Sequence, residues 1–83
     1  MKILYFAWVR EKIGKSQEEL EIPDAVKTVA DLILWLETKG PEYEAAFANK
    51  ETINSAINQS HVDHSTQLNN ANEIAFFPPV TGG

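Results

Sequence analysis

Thr28-Val29-Ala30-Asp31-Leu32-Ile33-Leu34-Trp35-Leu36 is the stretch whose reading decides the fold. Its first four residues fit a variant capping box: the threonine hydroxyl can accept the N–H three residues on, and the Asp31 carboxylate can reach back to the start of the helix. Val29, Leu32, Ile33 and Leu36 then recur at helical spacing and make one apolar stripe. Gly40-Pro41 stops the helix, because proline cannot continue it and glycine suits the turn beyond its end. A shorter helical turn is expected between Tyr43 and Ala48, with Tyr43, Ala46 and Phe47 on one side. In a chain of 83 residues with 43% hydrophobic content there is room for one core, so the stripe must pack on whatever the flanking segments form.

Those segments read as strands. Residues 2 to 9 are β-rich, with Ile3, Tyr5, Ala7 and Val9 on one face and Lys2, Leu4, Phe6 and Trp8 on the other. One set faces the helix. The other would expose Leu4, Phe6 and Trp8, because a small domain rarely covers both sides of its sheet, and this makes that face a candidate docking surface. Residues 17 to 22 alternate, with Leu20 and Ile22 inward and Glu19 and Glu21 outward after a turn at Gly14, and form a hairpin partner for the first strand. Past the helix, residues 53 to 57 read as a strand with Ile53 and Ile57 in phase, a weak strand includes Val62, and Asn69-Asn70-Ala71-Asn72 is a polar turn. The last strand runs from Glu73 to Phe77 and ends at Pro78-Pro79, which cannot stay in a ladder. The order β, β, α, β, β, β describes an α+β domain over residues 1–77, a mixed sheet wrapped on one main helix, which is the β-grasp order. Residues 78–83 remain as a flexible C-terminal tail.

Composition narrows the function. Twelve acidic against seven basic residues give a net charge of minus five, which argues against nucleic acid and anionic lipid as partners and suits a protein with a basic docking surface. There is no cysteine, so no disulfide, thiolate zinc site or thiol nucleophile is available. The apolar N-terminal run reaches Arg10-Glu11-Lys12 too soon for a signal peptide or a membrane span, and a cytoplasmic protein is expected. His61 and His64 would point to opposite faces of an extended segment, with no cysteine or carboxylate cluster to complete a metal site. Gly14 stands alone, and no GKS or GKT phosphate loop occurs.

What remains is Thr81-Gly82-Gly83. With glycine at about 7% of ordinary sequence, a terminal Gly-Gly arises by chance in about one chain in 200, and here it follows the stiff run Phe76-Phe77-Pro78-Pro79-Val80. A frayed end is the plain explanation of two glycines. The chemical one is a carboxylate on an arm that residues 78–83 could extend about 20 Å at roughly 3.3 Å per residue. Without a Cβ, Gly82 and Gly83 can thread a narrow channel, and Pro78-Pro79 lowers the entropy lost on insertion. A carboxylate in water is a poor electrophile, so such an end requires activation by another protein, as an acyl-adenylate.

The tail from Glu73 to Gly83, together with Tyr5-Phe6-Ala7-Trp8-Val9-Arg10-Glu11, Gly14 and Ala56-Ile57-Asn58-Gln59, strongly resembles the MoaD family, the small sulfur-carrier subunits of molybdopterin synthase. The resemblance implies a ubiquitin-like β-grasp fold and a role in molybdenum cofactor biosynthesis. It implies that Gly83 is adenylated by an activating enzyme related to ubiquitin-activating proteins, with ATP used there, and is then converted to a thiocarboxylate whose sulfur builds the dithiolene on a cyclic pterin precursor. The chain would be a non-catalytic sulfur donor with no permanently bound cofactor. Its partners would be that adenylyltransferase and the large synthase subunit, in a heterotetramer of two small and two large subunits. Gly82 would serve tail threading, and Leu4, Phe6, Trp8, Phe77, Pro78, Pro79, Val80 and Thr81 would contact the partner.

One departure lies in the turn before the last strand, where the family often has Asp-Gly-Asp and this chain has Asn70-Ala71-Asn72. Asparagine tolerates a left-handed turn, so the fold should survive. His61 also stands where the family more often has an apolar residue. Competing readings are a ubiquitin-like modifier, a sulfur carrier for thiazole or tRNA thiolation, and a binding module whose tail does no chemistry. Phe76-Phe77-Pro78-Pro79 favours the pterin pathway.

Overall fold

The computed structural model describes residues 1–79. Five strands form one mixed sheet: β1 (Lys2–Tyr5), β2 (Gln17–Glu19), β3 (Asn54–Ile57), β4 (Ser60–Val62) and β5 (Glu73–Phe77). Their order across the sheet is β2-β1-β5-β3-β4. The two strands farthest apart in sequence, β1 and β5, lie side by side and parallel, with Ile3 opposite Ile74 and Tyr5 opposite Phe76. The other three pairings are antiparallel.

The central helix, α2 (Val29–Glu37), begins as its sequence dictates. Thr28 Oγ1 accepts the Asp31 N–H at 3.1 Å, while Asp31 Oδ2 accepts the N–H groups of Lys27 and Thr28. Those backbone hydrogen bonds, from Lys27 and then Thr28, hold the Asp31 carboxyl below its usual range. Val29, Leu32, Ile33 and Leu36 are buried and meet Ile3, Tyr5, Ile74 and Phe76 from the sheet in one core. Pro41 does not merely follow the helix: it opens a second one, α3 (Pro41–Ala46), at the position where its missing N–H costs nothing. This helix starts two residues before the expected turn at Tyr43, and Tyr43, Ala46 and Phe47 are buried as its pattern requires. The Phe47 ring meets Phe76 edge-on, with centroids 5.3 Å apart.

The expected strand through Val9 is shorter than its sequence suggests. It ends at Tyr5, and Ala7–Ile13 forms a helix, α1. Ala7 turns the chain out of the sheet with φ of 51°, a left-handed conformation that costs an L-residue about 1 kcal/mol. The gain is on the far side of that turn, where Val9 and Ile13, one helical turn apart, enter the core. Gly14, at φ 87°, closes α1 by returning its N–H to the Arg10 carbonyl. The second strand is shorter too, stopping at Glu19, although Leu20 and Ile22 pack against the core as expected.

Two pairs of residues in left-handed conformations shape the C-terminal half. Asn58 and Gln59 make the two-residue link between β3 and β4, and Asn69 and Asn70 turn the chain toward β5 at φ of 46° and 58°. Ala71 is not among the positive-φ residues, so the alanine in that turn carries no backbone strain. The inward side of β3 carries Ser55 between Ile53 and Ile57, and its hydroxyl is buried without a hydrogen-bond partner among the described residues. The expected tail over 78–83 is described only at Pro78 and Pro79. Val80, Thr81, Gly82 and Gly83 lie outside the described residues.

Candidate functional site

All three helices lie on the core side of the sheet, and strand alternation assigns every other residue to the opposite side. Ile3, Tyr5, Ser55, Ile74 and Phe76 are buried inward, so Leu4, Ala56, Ala75 and Phe77 face outward. The register then aligns Leu4, Ala75, Ala56 and His61 in one row across four strands. Phe77 stands one row on, opposite Asn54. Phe6 follows β1 at the same end, its N–H donated to the Phe76 carbonyl at 3.1 Å, with 46% of its surface exposed. The result is an apolar stripe that none of the chain's own described helices covers. Its other flank is charged, where Glu19, Lys2 and Glu73 sit opposite one another in the adjoining row.

The structure thus brings together Leu4, Phe6 and Phe77, with Pro78 half-buried at the end of β5 and Pro79 exposed beyond it. Trp8 is not on this face. Because the strand gives way to α1, Trp8 sits on a helix and packs against the core from the opposite side of the sheet. Ala56, Ala75 and His61 join the stripe although the sequence alone did not select the two alanines. Alternation within Glu73–Phe77 placed Ala75 beside Phe77, but its alignment with Ala56 and Leu4 needed the register.

On the core side, a polar knot ties three elements near the other edge. Tyr5 and Tyr43 each donate a hydroxyl to Glu18 Oε2 at 2.7 Å, and Lys15 donates to Oε1 at 3.0 Å. Burial pulls the Glu18 carboxyl upward, but the hydrogen bonds from Tyr5, Tyr43 and Lys15 together outweigh it and leave its pKa below the usual value. Burial, followed by the Glu18 hydrogen bond, raises both phenols, Tyr5 far above its ordinary value. The hydrogen bond to Glu18 raises Lys15. This knot fixes β2 and α3 to β1. Among the described residues no group of three or more His, Cys, Asp or Glu side chains converges to hold a metal. No described helix is long and apolar enough to cross a membrane.

The ThiS family model matches residues 3–83, which takes in the outward stripe and the terminal Gly-Gly. Similar curated proteins include the molybdopterin synthase sulfur carrier subunit of Haemophilus influenzae, 39% identical over 83 residues, with 100% of this chain and 99% of that protein covered. The protein of the same name from Escherichia coli is 34% identical with the same coverage. Among solved structures, SAMP1 from Haloferax volcanii superposes with a TM-score of 0.73 at 24% identity, covering 100% of this chain and 98% of that one, a likeness of fold.

Proposed function

The chain belongs to the ThiS family, and from its full-length likeness to molybdopterin synthase sulfur carrier subunits we propose that it is the sulfur-carrier subunit of a cytoplasmic molybdopterin synthase, carrying sulfur on the terminal carboxyl of Gly83. The observation that carries this reading is the reach of the likeness. It runs through residue 83, and relatives of this name align over 99% of their own length.

The chemistry follows from what the chain has and lacks. A free carboxylate resists attack, so an adenylyltransferase related to ubiquitin-activating proteins first joins it to AMP from ATP, releasing pyrophosphate. Sulfide-level sulfur from a donor then attacks the same carbonyl carbon, the C–S bond forming as the C–O bond to AMP breaks, and leaves a thiocarboxylate. With no cysteine anywhere in the sequence, the terminal acyl group is the only place for this chain to hold transferable sulfur. Gly82 and Gly83 suit a confined active site because neither carries a Cβ. The outward stripe of Leu4, Ala75, Phe6 and Phe77 docks on the large synthase subunit, in a complex of two small and two large subunits. Pro78 and Pro79, with Val80 and Thr81, lead the terminus from that docked face to the cyclic pterin precursor, where the sulfur builds the dithiolene.

Intact-mass measurement after incubation with the activating enzyme, ATP and a sulfur donor should show oxygen exchanged for sulfur at Gly83. Deleting Gly83 should abolish the exchange and leave the domain folded. Dithiolene formation by the truncated chain in a reconstituted synthase would overturn the reading.

A further inference from the structure

β5 ends on two consecutive prolines, and the sheet register gives each a separate effect. Along a central strand, alternate residues turn their backbone N–H and C=O groups to opposite neighbours. On one side, Lys2 donates to the Asn72 carbonyl and Phe6 to the Phe76 carbonyl, so the even-numbered residues of β5 bond to β1. On the other, Asn58 donates to the Glu73 carbonyl at 3.0 Å, and the antiparallel register carries this on to the odd-numbered residues, which bond to β3. One step further, the parallel ladder would need an N–H at position 78 for the Phe6 carbonyl. The antiparallel ladder would need one at position 79 for the Thr52 carbonyl. Both positions hold proline, which has no N–H. Resting on the carrier reading above, we propose that Pro78 and Pro79 are positioning residues for sulfur transfer, Pro78 releasing the terminus from β1 and Pro79 releasing it from β3.

The neighbouring strands are shaped for the same release. The Phe6 carbonyl accepts the N–H groups of Val9 at 3.1 Å and Arg10 at 3.3 Å, in the first turn of α1, so a donor at position 78 would have to share it. The Thr52 N–H, which an extended ladder would give to the carbonyl of residue 79, goes instead to the Asn49 carbonyl at 2.9 Å, in the turn before β3. A single proline would not suffice, because alternation hands the next residue to the other neighbour and leaves that ladder free to lengthen. The consequence is reach. A strand running on through residue 79 would start the arm at Val80 and remove two of its six residues, about 7 Å of an extended span of about 20 Å. A terminus held short by that distance cannot take up reaction geometry, where a misplacement of about 1 Å already costs about a hundredfold in rate.

The test compares the full native chain with Pro78→Ala, Pro79→Ala and the double variant. Amide hydrogen exchange followed by NMR on the free chains should show the new N–H at position 78, and the one at position 79, exchanging about fivefold more slowly than in an unstructured peptide, the protection that one net hydrogen bond gives. The second measurement starts with sulfur already on Gly83 and the large subunit in saturating excess, so that a change in affinity does not enter the rate. There the double variant should transfer sulfur to the cyclic pterin precursor about a hundredfold more slowly than the native chain. Two glycines inserted between positions 79 and 80 of the double variant should restore the rate, which a merely structural role for the prolines would not allow. Exchange at the unstructured rate at either position would overturn the two-sided assignment. Undiminished transfer by the double variant, or a loss that the insertion does not repair, would overturn the positioning role. A native chain that acquires no sulfur on Gly83 would overturn the carrier reading instead, and the exchange measurement, which needs neither sulfur nor partner, would still decide which ladder each proline ends.

Discussion

Replacing Phe6 by Ala separates docking from folding more cleanly than any other change on the outward face. Phe6 sits between β1 and α1, and its three hydrogen bonds there use the backbone, donating to Phe76 and accepting from Val9 and Arg10, so alanine preserves them. Its side chain is not part of the core. With 46% of the residue exposed and a phenylalanine offering about 200 Å², roughly 90 Å² awaits burial by a partner. At about 25 cal/mol per Å², that area is worth about 2 kcal/mol, or roughly thirtyfold in Kd. Calorimetry with the large subunit should register that loss while the unfolding free energy of the free chain stays within about 0.5 kcal/mol of the original. Phe76→Ala, one residue along β5 from Phe77 and fully buried against Phe47, serves as the contrasting control: it should cost the free chain about 3 to 5 kcal/mol of stability. Unchanged affinity for a folded Phe6→Ala chain would refute the assignment of this face to the partner. A stability loss approaching that of Phe76→Ala would refute its assignment to solvent.

Three further outcomes are expected. Gly82→Val should leave the fold and the docking affinity intact and block thiocarboxylate formation or transfer, because the added side chain obstructs a confined path; single-turnover assays on the preformed complex that show both steps at normal rates would remove the need for a channel. Glu18→Gln should destabilise the chain by about 1 to 3 kcal/mol, since Tyr5, Tyr43 and Lys15 lose a charged acceptor. The folded-state pKa of Glu18 is depressed, so its stabilisation is present above the unfolded carboxyl range and is lost as pH falls through the folded value. Denaturation midpoints followed below about pH 5 should therefore decline more steeply for the native chain than for Glu18→Gln. Ser55→Ala should be neutral or stabilising by up to about 1 kcal/mol, because the removed hydroxyl is buried with no partner among the described residues; a clear loss in thermal denaturation would show that the hydroxyl is satisfied in solution.

Features that depend on neighbours in the chain were legible in the sequence. The Thr28 and Asp31 cap, the stripe from Val29 to Leu36 and the strand Glu73–Phe77 ended by Pro78 all appear where their residues place them, because capping, helical spacing and the missing proline N–H act over a few residues. The apolar run from Ile3 to Val9 was compatible with both a strand and a strand followed by a helix. Val9 and Ile13 one turn apart, with Gly14 behind them, were the only sign of the helix, and the burial of those two side chains against the rest of the core decided the matter. That decision moved Trp8 to the core side and left Leu4 and Phe6 outside. The outward stripe could not be read from any single segment, since Leu4, Ala75, Ala56 and His61 come from four strands and are aligned only by the parallel pairing of β1 with β5 and the register of β3 and β4. The Gly82-Gly83 end is the opposite case: the expectation placed on it comes from residue types alone and calls on no neighbour in the fold, whereas the face proposed to carry it to a partner exists only once the sheet is assembled.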